Sequence, residues 1–312
     1  MINKSGNHSG PMTALRLTGQ KWLDKGNRIL TRLLSQPRTQ LILNLTAVWV
    51  ILHGIDHFAW VTLPERLLAA AILIFPQGSR GLWLGTSVLL SLNNLNGWSV
   101  LVNHEYLITY WVIVCAIAVW STTPKKVLAW NARLLIGLCF LFATLWKFIS
   151  GEYLNGSFLH LTFLLDSRLE MGAVLMGGIN PESLATNQRL FETLQTTTAP
   201  LALETTPLLS VVSVILSYWT LLIEGGVAIA FLMPGLKWLY QRRDGLLMLF
   251  IVTTYSVIPV FGFGAILMIM GLAQCKNVGR QRLYLAMFLL MPLWMPLPQS
   301  IFYVMGRFWG LG

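Results

Sequence analysis

Long apolar runs separated by short polar stretches dominate the chain, and this pattern predicts membrane-spanning helices. A helix needs about 20 apolar residues to cross the hydrocarbon core of a bilayer. Three runs reach or approach that length, namely Leu41–Val61, Val127–Ser150 and Pro207–Met233. The shorter runs Leu67–Phe75 and Gly81–Leu95 flank a Pro-Gln-Gly turn, which indicates a hairpin of two short or tilted helices.

The remaining apolar runs bring the predicted total to about eight spans. Tyr106–Trp120 is a further span, and prolines interrupt Leu283–Met305. The long run Gly245–Ala273 contains Pro259, so it is either a hairpin that turns at this proline or one broken helix. The predicted fold class is therefore all-α, a polytopic transmembrane helical bundle that forms a single domain over residues 39–312.

The N-terminal segment, residues 1–38, combines basic residues with apolar positions at near-helical spacing. We expect a basic amphipathic helix on the cytoplasmic surface of the membrane. An organelle import presequence has the same composition and stays open as an alternative. The basic residues of the segment, against the single acid Asp24, are Lys4, Arg16, Lys21, Lys25, Arg28, Arg32 and Arg38.

Composition and charge narrow the class of protein. The chain has 312 residues, of which 55% are hydrophobic and 11% charged, whereas soluble domains carry roughly 25% charged residues. These values exclude a soluble globular enzyme, a disordered chain and a nucleic-acid-binding module. The net charge of +10 is then explained by cytoplasmic loops that follow the positive-inside rule, with the lipid bilayer as the partner.

The same rule orients the spans in a bacterial inner membrane or its equivalent, with the N-terminus in the cytoplasm. The first span then ends outside at Pro64-Glu65-Arg66. Residues 151–204 contain six acidic and two basic residues, a net charge of 2 − 6 = −4, and are predicted to form an extracytoplasmic loop. The apolar pieces Phe158–Leu165 and Met171–Met176 indicate short helices in or on the outer leaflet, and a re-entrant segment stays open as an equal alternative.

Three ionisable residues near the outer end of the first span form the first candidate site. His53, Asp56 and His57 share one helix face, because residues three and four positions apart lie above one another. Two imidazoles and a carboxylate are suitable ligands for a divalent metal. The alternative is a hydrogen-bonded polar patch where the helix meets water.

Lys147 and Glu224 are the other ionisable candidates at membrane depth. Lys147 either extends its ammonium to the head groups or lies in an apolar pocket, where desolvation favours the neutral amine that acts as a general base. Glu224 is either a hydrogen-bonding partner between helices or part of a site, and the following Gly225 and Gly226 permit close helix packing.

Three short motifs occur in an order that resembles a known family. Asn103-His104-Glu105-Tyr106-Leu107 opens a span, Lys147 is followed by Tyr153 and Gly156, and Glu224 precedes small residues. This order, over roughly residues 40–275, resembles the vitamin K-dependent gamma-carboxylases and their bacterial relatives with a horizontally transferred transmembrane (HTTM) domain. In those carboxylases a lysine deprotonates reduced vitamin K, and the resulting strong base removes a proton from a glutamyl residue.

The resemblance implies roles for particular residues. Lys147 would be the catalytic base and His104 its partner, with a quinone or hydroquinone as the cofactor or substrate. The residues expected to bind the substrate or a lipid are Asn103, Tyr106, Tyr153 and Glu224.

The sequence departs from the family pattern at several positions. Tyr153 replaces the usual tryptophan, and residues 250–255 lack an expected histidine, although Thr254 or Tyr255 supplies a hydroxyl. The carboxylases carry a large C-terminal domain for the peptide substrate, whereas this sequence ends at Gly312. We therefore expect the membrane core without peptide carboxylation.

Three hypotheses follow for the function. The first is a membrane enzyme that uses Lys147 and His104 for base chemistry on a quinone or another lipid-soluble substrate. The second is a non-catalytic assembly factor or partner subunit of a membrane protein complex. The third is a transporter that uses Glu224 and the break at Pro259, although no internal inverted repeat is visible.

Overall fold

The protein is described from a computed structural model. The model describes residues 28, 30–52, 59–75, 79–99, 103–193, 202–258 and 260–294, without the side chains of residues 59–61 and 103. Over these ranges the chain is helical and contains no strand, as the apolar pattern predicts. The α-helices are α1 (Arg38–Leu52), α2 (Ala59–Ile74), α3 (Ser79–Asn96), α4 (Asn103–Trp120), α5 (Pro124–Ser150), α6 (Ser157–Leu165), α7 (Glu170–Gly177), α8 (Pro181–Thr193), α9 (Pro207–Leu232), α10 (Lys237–Tyr255), α11 (Phe261–Gln274) and α12 (Val278–Trp294).

The two longest helices begin and end at residues that favour helix boundaries. Both α5 and α9 have proline at the first helical position, where its missing N–H costs no hydrogen bond. The hydroxyl of Thr206 accepts a hydrogen bond from the Leu209 N–H at 3.1 Å and caps α9. Gly151, in the left-handed region with φ 72°, terminates α5.

Helix α11 forms the centre of the bundle. Its residues from Gly264 to Gln274 are all buried, and it packs against α1, α4, α5, α10 and α12. A helix that is apolar on every side is expected at such a fully enclosed position. The neighbouring pairs α2–α3, α3–α4 and α4–α5 complete this part of the bundle.

The chain reverses between α10 and α11, which decides between the two interpretations of Gly245–Ala273. Gln274 at the end of α11 lies beside the first turns of α10: Arg243 Nε donates to its Oε1 at 2.9 Å, and its Nε2 donates to Asp244. The hairpin interpretation is therefore confirmed. Pro259, located between the two helices, lacks the N–H that a continuous helix would need.

A polar cluster joins α1, α10, α11 and α12 at the end of the bundle where basic residues concentrate, which we call the basic end. Asp244 is buried and accepts a hydrogen bond from Arg280 Nη1 at 3.0 Å. Arg38 donates to the carbonyl oxygens of Leu272 at 2.6 Å and Ala273 at 3.0 Å, and also to that of Cys275. These contacts satisfy carbonyl groups that the end of α11 leaves without helical partners.

We expect Arg38→Met to lower the free energy of unfolding by about 1.5–3 kcal/mol, because hydrogen bonds from a charged donor to buried carbonyls are lost. Thermal unfolding of the purified protein in detergent measures the effect. Arg32→Met is the matched control, since Arg32 is exposed, and should change stability by less than about 0.5 kcal/mol. Equal losses in the two variants would contradict the capping role.

Three short helices occupy the segment between α5 and α9. The predicted helices at Phe158–Leu165 and Met171–Met176 are confirmed as α6 and α7, while α8 was not predicted. Helices α6 and α7 pack against α9, and α8 packs on both of them. A small second core, separate from the main one, includes Phe163, Leu169 and Leu209.

The first predicted span is wrong in its extent. Helices α1 (Arg38–Leu52) and α2 (Ala59–Ile74) pack side by side, so the run Leu41–Val61 is not one helix. Pro64 and Glu65 were expected in an outer loop but lie inside α2, where Glu65 is 3% exposed. Pro64 lies inside α2, where it removes one helical hydrogen bond without ending the helix, so this tripeptide did not mark a boundary.

The predicted N-terminal amphipathic helix and the last predicted span lie mostly outside the described residues. The predicted bundle of about eight spans is supported only in part. Residues 1–27 and 295–312 are not described, although Leu30, Leu33 and Leu34 pack against the main core. Two described helices, α5 and α9, are long and apolar enough to cross a bilayer. Shorter apolar helices are Arg38–Leu52, His104–Trp120 and Phe261–Gln274.

Candidate functional site

A buried ion pair connects the two longest helices. Lys147 Nζ lies 2.5 Å from Glu224 Oε2, and the two side chains are 13% and 9% exposed. The charges are 77 positions apart in the sequence. Each residue was predicted as a candidate by itself, and the structure makes them partners.

Small residues bring α5 and α9 close enough for this pair to form. A Cβ built on Gly137 would lie 2.6 Å from the Leu232 side chain, and one on Gly225 would lie 3.7 Å from Thr144. Contacts therefore run forward along α5 and backward along α9, so the helices are antiparallel. At 1.5 Å per residue, Glu224 lies about 12 Å from the Leu232 end of α9 and about 26 Å from the Pro207 end.

The turn after α5 covers the amine of Lys147. Tyr153 lies in this turn, and Lys147 Nζ is 5.1 Å from the centroid of its ring, within cation–π range. Phe158, in the first turn of α6, stacks on Tyr153 with centroids 4.6 Å apart and an interplanar angle of 21°. The turn is bounded by Gly151 and Gly156, with φ of 72° and 77°.

An aromatic cluster lies deeper in the bundle beside the pair. The ring of Tyr255 is 6.3 Å from that of Phe263, which in turn is 6.1 Å from Phe140 and 6.5 Å from His104. The Tyr255 hydroxyl is buried without a hydrogen-bond partner among the described residues. Tyr255 is thus an additional polar group within the aromatic cluster.

The structure brings some of the predicted site residues together and places others elsewhere. Lys147, Glu224 and Tyr153 form one cluster, whereas the ring contact of His104 is with Phe263. Phe140, at the level of that contact, precedes Lys147 by two turns of α5, about 10 Å. His104 therefore lies deeper than the amine.

The remaining predicted site residues have other roles or are not described. Tyr106 donates its hydroxyl to the Trp98 carbonyl at 2.9 Å and so ties the start of α4 to the end of α3. Asn103 begins α4, but its side chain lies outside the described part, as do all three members of the predicted metal site. Among the described residues no group of three metal-ligating side chains occurs. The undescribed metal-site residues are His53, Asp56 and His57.

The pair changes the chemistry that Lys147 can perform. A carboxylate 2.5 Å from the amine is the hydrogen-bond acceptor and counter-ion of the ammonium form. The amine is therefore free to act as a base only when Glu224 holds the proton. Because the two atoms are within the distance of a short charge-assisted hydrogen bond, a proton can move between them. The acid–base unit is thus the pair rather than the lysine.

Sequence reasoning missed two further buried acids, Asp244 at the basic end and Glu65. Glu65 lies inside α2, and its Oε1 atom has no hydrogen-bond partner among the described residues. The preceding Pro64 and the following Arg66 gave this stretch the composition of a loop. The helical spacing of apolar residues on both sides was the signal that it belongs to a helix.

Comparison with known proteins adds no assignment: no family model, no curated protein and no solved structure matches the chain.

Proposed function

We propose that the protein is a multi-pass membrane protein with its basic end in the cytoplasm. Two helices of sufficient length and apolarity support this proposal. Exposed apolar side chains also line the outer faces of these helices, including Trp146 and Ile149 on α5 and Ile215 and Leu222 on α9. Apolar surface of this extent is unusual on soluble monomers and suits lipid contact.

We further propose that the Lys147–Glu224 pair transfers protons to and from a lipid-soluble substrate, of which a hydroquinone is the best example. The observation that carries the proposal is the short, buried contact between amine and carboxylate. Lys147 retains 13% exposure, and its neighbours Trp146 and Ile149 are 71% and 76% exposed. A molecule dissolved in the bilayer can therefore reach the face of α5 beside the amine, which Tyr153 covers from the turn.

The roles follow from the pair chemistry. Glu224 takes a proton from the ammonium, and the neutral amine of Lys147 then removes the hydroxyl proton of the substrate, which leaves a hydroquinone anion beside a cation. The positive charge formed on Lys147 stabilises this anion.

Lys147→Met tests the proposal directly. In lipid nanodiscs, ultraviolet absorbance of added hydroquinone should detect its bound anion at a lower pH than in empty nanodiscs. Lys147→Met should abolish this shift, and Lys147→Arg should do so too, because the guanidinium stays protonated. Lys126→Met, at the exposed far end of α5, is the control. Wild-type behaviour of both Lys147 variants would refute the proposal.

A second candidate function is a non-catalytic membrane subunit. The observation that favours it is that the ion pair already neutralises both charges and joins α5 to α9, which is a sufficient structural role. This candidate requires a partner that co-purifies in fixed stoichiometry and is retained by Lys147→Ala. Native mass spectrometry of the protein with its bound lipids distinguishes the two candidates, since the first requires a small molecule and the second a protein.

A further inference from the structure

A cleft with a mixed polar and apolar lining lies beside the turn that covers Lys147. We call it the α6 cleft. Its volume of about 350 Å³ is within the range of ligand pockets. The lining consists of Glu152, Ser157, Phe158, His160, Leu161 and Leu164.

Hydrogen bonds hold the polar wall of the α6 cleft in place. His160 Nε2 lies 2.6 Å from the Thr205 hydroxyl, just before α9. The Phe158 N–H and the Ser157 hydroxyl both donate to the Glu152 carbonyl, at 3.2 and 3.3 Å. Burial lowers the pKa of His160 below its ordinary value near 6.5, so the ring is neutral at pH 7.

The α6 cleft carries the negative charge of Glu152, which forms no salt bridge within the described part of the chain. The salt bridges among the described residues are Lys147–Glu224, Arg168–Asp166 and Arg280–Asp244, so the carboxylate of Glu152 pairs with none of the described cations. The surrounding segment, residues 151–204, also has a net charge of −4. An anionic head group is therefore disfavoured, whereas an ammonium group would find a counter-ion.

An apolar groove lies next to the α6 cleft. Gly156, next to Ser157 of the cleft, touches the backbone of α9: a Cβ on Gly156 would lie 3.0 Å from Val214 Cα. Val214 also lines a groove of about 290 Å³ with almost no polar surface, which we call the α9 groove. The other residues of the groove are Ser210, Val211 and Ile215.

We propose that the α6 cleft and the α9 groove together bind a membrane amphiphile with an ammonium head group. The head lies against Glu152 and the neutral ring of His160, and the apolar chain follows the α9 groove. The ring of Phe158 connects the cleft to Tyr153 and, through it, to Lys147. The site nevertheless stands on its own lining and charge, whether or not Lys147 is a base.

Photolabelling of the full chain in phosphatidylcholine nanodiscs tests the proposal. The probe is dodecylamine with a diazirine in its chain, and the matched control is dodecanoic acid with the same diazirine. Peptides that contain residues 152–164 or 210–215 should be labelled at least fivefold more by the amine than by the acid. Equal labelling by both probes would overturn the proposal. Excess free ethanolamine should not compete, and full competition would point to a soluble amine instead of an amphiphile.

Two variants locate the binding. Glu152→Gln should reduce the ratio of amine to acid labelling to about one, and Leu161→Trp, which fills the cleft, should remove the label altogether. Leu249→Trp, on the exposed face of α10, is the control and should retain it. An unchanged ratio in Glu152→Gln would refute the head-group assignment. If the two sites are independent, the variants that lose this label keep the wild-type hydroquinone titration. Failure of the amphiphile proposal can then be told apart from failure of the proton-transfer proposal.

Discussion

Lys147→Met is expected to lower the free energy of unfolding by about 3–5 kcal/mol, since it leaves the Glu224 carboxylate buried between α5 and α9 without its cation. Glu224→Met should have a similar effect through the unpaired ammonium. The measurement is reversible unfolding in mixed detergent micelles, followed by circular dichroism.

The double variant Lys147→Met with Glu224→Met is the decisive control for this prediction. Replacing both members of a buried ion pair by apolar side chains of similar size is often neutral or stabilising. We therefore expect the double variant to recover most of the stability that each single variant loses. Additive losses in the double variant, or single losses below about 1 kcal/mol, would contradict a buried and coupled pair.

Gly156→Ala is expected to produce the second large loss of stability. Gly156 has φ 77°, where a Cβ costs about 1–2 kcal/mol of backbone strain. Its Cβ would also lie 2.7 Å from Val214 Cγ2 and 3.0 Å from Val214 backbone atoms. Overpacking of this kind costs about 1–3 kcal/mol. The turn that carries Tyr153 should then separate from α9, and thermal unfolding records the total.

Gly151→Ala separates the two contributions. Gly151 has a similar φ of 72°, but a Cβ there would meet nothing within 4 Å. It should therefore show the backbone strain alone, and the difference between the variants measures the contact with α9. If Gly151→Ala were as damaging as Gly156→Ala, the close approach of this turn to α9 would not contribute to stability.

Much of the helical architecture follows from local sequence features. Pro124 and Pro207 mark the starts of the two longest helices, and Gly151 marks the end of α5. Pro259 left a hairpin and a broken helix open for Gly245–Ala273, and the Arg243–Gln274 contact decides for the hairpin. These features are predictable because the ends of helices depend on the backbone conformations that single residues, such as proline and glycine, can adopt.

The composition of the candidate site was predictable only in part. Lys147 and Glu224 were singled out because ionisable residues are rare in an apolar chain. Tyr153 was singled out because it follows Lys147 in a motif that resembles the carboxylase family. Their mutual contact was not predicted, and neither was the burial of Glu65. The α6 cleft was not predicted either, and no role was assigned to His160.

The sequence by itself determined where most helices lie and which end carries the positive charge, but it left open whether Gly245–Ala273 reverses. Only the tertiary structure decided that Lys147 faces Glu224 and that Tyr153 covers the amine. The physical reason is that α9 is apolar on all sides, with Leu222 exposed and Leu209 buried. Its pattern therefore sets no preferred face, and the close packing of Gly137 and Gly225 against the partner helix fixes its rotation.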